Sequence, residues 1–196
     1  MSTVNQSKKF FSTMTLTLMA VAIVINMVLG QIASILKLPI FLDSIGTVLV
    51  GILAGPWAGG LTGLITNLLW GLISDPVSAA FAPVAAMIGI AAGLCAKFGL
   101  FKTWWKAIIS GVIISVALAI IAVPIRLYMF GGLTGSGSDF ITAYFLALGR
   151  DLFGAVIIQV ITSNLVDKVV TALISWGIIK ALPNRFVSRF PGADKV

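Results

Sequence analysis

The sequence predicts an all-α integral membrane protein, a bundle of six transmembrane helices with both ends in the cytoplasm. Three observations lead there. Apolar stretches long enough to cross hydrocarbon, roughly 18 residues or more, recur along the chain. Charged residues make up only 10% of it, where a soluble domain carries about a quarter. So much apolar surface has no small core to hide in, and lipid must act as the solvent. Finally, the basic residues gather at the ends of the apolar stretches, the pattern that orients membrane helices. This placement also argues against nucleic acid as the reason for the net charge of +7. The runs are too continuous for a β-barrel, whose strands alternate apolar and polar. The first run also lacks the small-residue cleavage site of a signal peptide.

The elements follow in order. Residues 1–9 form a short polar tail. The first span, 10–36, is uncharged and ends before Lys37 and Pro39. A second, 40–55, stops at Pro56, which has no N–H to donate. The third, 57–74, ends at the turn Asp75-Pro76. The apolar stretch from Lys37 to Asp75 is too long for one crossing, so Gly55-Pro56 marks a tight hairpin. The fourth and fifth spans are 77–96 and 107–125. A Gly/Ser-rich loop at 131–138 leads into a short helical piece, 140–148, and a last long helix, 151–182. One membrane domain over 1–196 is expected.

Orientation comes from counting cations. Lys8, Lys9, Lys97, Lys102, Lys106, Lys180, Arg185, Arg189 and Lys195 fall on one side, against Lys37, Arg126 and Arg150 on the other. The richer side is cytoplasmic by the positive-inside rule. Gly51, Gly55, Gly59 and Gly63, with Gly89 and Gly93, recur every four residues. Such spacing lets helix backbones approach closely in lipid, either within one chain or against a partner.

Some chemistries are excluded outright. Histidine is absent, so histidine metal sites and histidine-dependent catalysis fall away. The single cysteine, Cys95, sits in an apolar run and reads as a small core residue. No cofactor and no metal is called for.

Polar residues inside a span are expensive and are functional candidates by default. Counting back from Lys180 at about 1.5 Å per residue, Lys168 and Asp167 lie roughly 18 and 20 Å up the last helix, in the outer half of a core about 30 Å thick. Ser163, Asn164, Asp167, Lys168 and Thr171 share a face by their three- and four-residue spacing. That face reads either as the lining of an outward-opening pocket or as a structural seam. The side chains of adjacent Asp167 and Lys168 point about 100° apart and need not pair with each other. The third span offers Thr66, Asn67, Trp70 and Ser74 near its outer end, with Trp70 either pocket wall or interfacial anchor. Asp75, Arg126, Tyr128, Asp139, Tyr144, Arg150 and Asp151 complete an outer rim of aromatics, donors and both charges. This suits a polar organic molecule with an apolar body. An ion channel would want rings of like charge or carbonyls.

The stretch Leu42-Asp43-Ser44-Ile45-Gly46-Thr47, the run from Gly51 to Gly60 around Gly55-Pro56-Trp57, and then Gly63 and Asn67 resemble the substrate-binding S components of energy-coupling factor (ECF) vitamin transporters. The resemblance covers residues 10–182 and is greatest, within the family, to the group linked with cobalamin uptake. It implies a high-affinity vitamin-binding subunit that docks on a membrane coupling (T) subunit and two cytoplasmic ATPases. The vitamin it implies is cobalamin or a related corrinoid, with riboflavin, pyridoxine and pyrimidine-type vitamins as alternatives. No Gly-Lys-Ser/Thr occurs in the chain, in keeping with an ATPase supplied by partners. The family docks through small residues at four-residue spacing on its first helix. Here a strict Ala-x-x-x-Ala is absent, and Thr13, Thr17 and Ala20 are the nearest substitutes. A membrane sensor module is the main competing reading, but only about fourteen residues follow Leu182 to carry an output. A lipid-headgroup enzyme would want clustered acidic ligands at the cytoplasmic face, and a stand-alone pore is the remaining alternative.

Overall fold

Capping and helix-breaking residues divide the chain into helices, and the computed structural model, which describes residues 12–195, shows where. Helix α1, Thr13–Ile35, starts where the Ser12 hydroxyl accepts the Thr15 N–H. It ends where Lys37 turns into the left-handed region at φ 51°. Lys8, Lys9 and the expected start of the first span at Phe10 lie outside the described residues. Helix α2, Ile45–Ala54, is buried at all ten positions and forms the centre of the bundle. Gly55, at φ 97°, then breaks the chain, and Pro56 opens α3, Pro56–Ile73. Asp75 caps the short α4, Pro76–Ala80, and α5 follows over Ala82–Lys97. Helix α6, Trp104–Pro124, loosens into a π-turn, Ile125–Met129. The loop after it leads to α7, Asp139–Ala147, then α8, Leu152–Ala181, capped by Asp151, and a terminal turn α9, Asn184–Val187.

Two expected elements are corrected. The second span does not begin as helix at Ile40. Residues 40–44 are non-helical, Leu42 has φ 54°, and the N–H groups of Phe41 and Leu42 are bound by Asp167 from α8. The fourth span is not one continuous helix from Val77. It breaks at Phe81, two residues before Pro83, whose ring cannot sit inside an α-helix without displacing the preceding turn.

By length and composition α1, α6 with its π-turn, and α8 are each able to cross a membrane, while α2 and α5 are shorter apolar helices. The glycine repeats serve packing within the chain. A methyl group on Gly59 would sit 2.6 Å from the Cα of Gly51 and 2.8 Å from the carbonyl oxygen of Gly89, so α2, α3 and α5 meet backbone to backbone. The core runs from Val48, Ile52 and Leu53 on α2 through Ile114 and Leu118 on α6 to Val156 and Val160 on α8. At one end of the bundle the Gly192 N–H bonds the Leu53 carbonyl at 2.9 Å, tucking the C-terminal segment under α2.

Candidate binding cavity

At the opposite end from that tuck, the helices part around a half-enclosed cavity of about 430 Å³. One wall is the end of α1, with Gly30, Gln31 and Ser34, continuing into Lys37, Phe41 and Asp43 of the following loop. Asn67 and Trp70 of α3 form the second, with Asp75, Ser78 and Phe81. Arg126 of the π-turn and the loop Thr134 to Gly137 close over a third side, and Val160, Asn164 and Lys168 of α8 reach in from the last.

Many of the polar groups there are held by identifiable bonds. Asn67 Nδ2 donates to the Ser78 carbonyl at 3.2 Å, fixing α3 to α4. Asp75 accepts the Val77 N–H at 3.2 Å and the Ser78 hydroxyl at 2.7 Å. Trp70 is 7% exposed and lies against Gly30. Arg126 pairs with Asp139 and donates through Nε to the Gly132 carbonyl at 3.0 Å. Asp139 also accepts the N–H groups of Thr134 and Gly135, so one carboxylate organises the whole Gly/Ser loop. Lys37 Nζ reaches across to the Gly135 carbonyl at 2.9 Å, joining the two loops at the mouth.

The polar face of α8 divides its duties. Ser163, Asn164, Asp167, Lys168 and Thr171 are all buried. Asn164 donates back to the Val160 carbonyl at 2.8 Å and borders the cavity with Lys168. Asp167 is not on the lining: it accepts the loop N–H groups of Phe41 at 3.0 Å and Leu42 at 2.8 Å. Asp167 and Lys168 do pair with each other, at 2.5 Å. The flexible lysine stem overcomes the angle between neighbouring positions and also carries the ammonium to Ser44 Oγ at 2.6 Å.

Asn67, Trp70, Asp75, Arg126, Asn164 and Lys168 thus converge on one space. Tyr128, Tyr144 and Arg150 do not line it. Tyr128 is 85% exposed while Arg126, two residues earlier in the π-turn and so on the opposite side of the helix, is buried. On α7 the buried position is Thr142, which leaves Tyr144 outside against Phe145. Arg150 is exposed at the turn before α8.

Sequence reasoning missed Asp43, Lys37 and the loop glycines as lining residues. It also missed Asn26, which bonds Thr47 Oγ1 at 2.8 Å, Thr66 Oγ1 at 3.3 Å and the Gly46 N–H at 2.7 Å. That amide, clamping α1 to α2 and α3, was visible as the one polar side chain between Leu18 and Gly30. Thr13, Thr17 and Ala20 lie together on the exposed face of α1.

Apolar helices closing around one polar cavity define a membrane-embedded ligand-binding protein. The family model for the ECF transporter substrate-specific component matches residues 14–179, and the chain belongs to that family. It is therefore a substrate-binding transport subunit rather than an enzyme, and membership implies association with an energy-coupling module. No curated protein matches the chain, and no solved structure does.

Proposed function

We propose that the cavity between α1, α3, α6 and α8 is the binding site for a water-soluble vitamin, captured from the outer face of the membrane. The observation behind this reading is the convergence of Asn67, Trp70, Arg126, Asn164 and Lys168 on one half-enclosed space. Polar groups at such depth are tolerated only beside protein, water or ligand. A volume of about 430 Å³ lies in the lower half of the range for small-molecule sites, roughly 300 to 1,000 Å³. That size favours a compact ring system, of the pyridoxine, pyrimidine or flavin kind. A whole corrinoid such as cobalamin would require the loops at 37–43 and 134–137 to move apart.

In this reading the chain crosses the membrane six times with both ends inside. The coupling subunit docks on the exposed face of α1 around Thr13, Thr17 and Ala20, and two cytoplasmic ATPases provide the energy. Mass spectrometry of whatever copurifies identifies the vitamin, and calorimetric titration of the stripped protein measures its affinity. Asn67→Ala and Trp70→Ala should each weaken binding roughly five- to hundred-fold, the loss expected for about 1–3 kcal/mol per buried partner. Unchanged affinity in both folded variants would move the site elsewhere.

A further inference from the structure

One carboxylate on the cavity wall is left over. Both oxygens of Asp75 accept hydrogen bonds from α4. Asp139 is matched to Arg126 and the loop amides. Asp167 is matched to Phe41, Leu42 and Lys168. Asp43 differs: its Oδ1 is buried and accepts no hydrogen bond. The Lys168 ammonium stands 3.6 Å from it, too far for a hydrogen bond, and gives its short bonds to Asp167 and Ser44 instead.

The charges lead the same way. Asp43, Asp167 and Lys168 together carry one negative charge more than positive. The other cations at the cavity are engaged, Arg126 with Asp139 and Lys37 with the Gly135 carbonyl. Oδ1 faces protein, but the Asp43 side chain as a whole is 27% exposed, and the space it faces is the cavity; a carboxylate there without a matched cation is costly. Trp70 stands beside it: a methyl group on Gly30 would meet the indole ring and, at 3.0 Å, the Cβ of Asp43. Indole is the best of the aromatic faces for a cation.

We infer that the cavity selects ligands carrying a positively charged nitrogen, an amine or a protonated N-heterocycle, which Asp43 receives with Trp70 alongside. The inference rests on the reading of the cavity as a vitamin site and names the chemical class that the site takes.

The test uses the purified full chain and four defined probes. Pyridoxamine and pyridoxine share a ring and differ by an ammonium in place of a hydroxyl; thiamine is a cation and pantothenate an anion. The two cations should bind more tightly than pyridoxine and pantothenate. Asp43→Asn should weaken the cations about ten- to hundred-fold, the range for a hydrogen bond to a charged group, and move pyridoxine far less. Preference for pantothenate or pyridoxine in the unmodified protein overturns the inference without any variant having to fold. So does an equal loss for pyridoxamine and pyridoxine in Asp43→Asn, which would make the residue structural. In both cases the cavity stands as the site if Asn67→Ala and Trp70→Ala weaken the probe that binds. Binding by none of the four probes overturns this inference and leaves the cavity reading to titration of the copurified vitamin, whereas binding indifferent to both those variants removes the cavity reading and this inference with it.

Discussion

Arg126 is 3% exposed, and the carboxylate that neutralises it, Asp139, also holds the backbone of the Gly/Ser loop. Removing one partner of a buried pair leaves an uncompensated charge, typically at a cost of about 3–5 kcal/mol, whereas replacing both by apolar groups is often neutral. Asp139→Ala should therefore lower the thermal unfolding midpoint in detergent sharply, and Arg126→Met with Asp139→Leu should recover most of the loss. A double variant no better than the single would mean that the loop amides, not the guanidinium, are what Asp139 serves. The residues that reasoning from the sequence placed at the site succeed or fail for physical reasons. Asn67, Asn164 and Lys168 stood out because a polar side chain in an apolar run needs a partner. Asp43 did not, because it sits at what reads as the start of a span, whereas that segment is non-helical and its Phe41 and Leu42 N–H groups are bound by the distant Asp167. Of Arg126 and Tyr128, both expected at the rim, only Arg126 lines the cavity, since side chains two residues apart on a helix do not face the same way.

At the scale of elements, glycines that look alike in the sequence separate into two kinds. A methyl group on Gly59 would meet only backbone, at Gly51 and Gly89, and backbone cannot swing aside. Gly59→Ala should cost about 1–3 kcal/mol, the usual penalty for overpacking, by prising α3 from α2 and α5. Gly177, within α8, has nothing within 4 Å of the same position. There alanine removes the backbone freedom of glycine without a clash and should stabilise the helix by about 0.5–1 kcal/mol. Thermal melts of the two variants should move in opposite directions, and a destabilised Gly177→Ala would point to a partner on that face. The long helices were legible because length, apolarity and the Gly55-Pro56 break are local signals. The split between α4 and α5 was legible too, in Pro83, but the apolar continuity of the stretch masked it. The cross-chain ties that shape the loops, such as Lys37 to Gly135, join residues 98 apart in sequence and leave no local trace.

For the whole molecule, the two ends of the bundle differ in character, and the difference bears on how it works. Lys97 and Lys195 border a small cleft beside Gly55 at one end, while Lys37, Asp75 and Arg126 border the cavity at the other. In the proposed orientation the first end faces the cytoplasm and the cavity opens outward. Cysteines placed at Lys102 and Asp194, both exposed, should then be shielded from a membrane-impermeant thiol reagent in intact cells, and one at Arg150 should react. The reverse pattern would invert the topology. An outward cavity alone captures ligand but does not move it, since release inside requires the site to be presented to the other face. No phosphate-binding Gly-Lys-Ser/Thr occurs in the chain to power such a change. The exposed Thr13, Thr17 and Ala20 lie towards the α1 end that this orientation turns to the cytoplasm, within reach of a partner that could. Proteoliposomes containing this chain alone should therefore bind the vitamin without accumulating it, with or without an ion gradient. Adding the coupling subunit and ATPases should make accumulation depend on ATP hydrolysis. Bulky substitution at Thr17, such as Thr17→Trp, should abolish that accumulation while leaving vitamin affinity unchanged. Accumulation by the chain alone under an ion gradient would show that the driving force enters through its own helices.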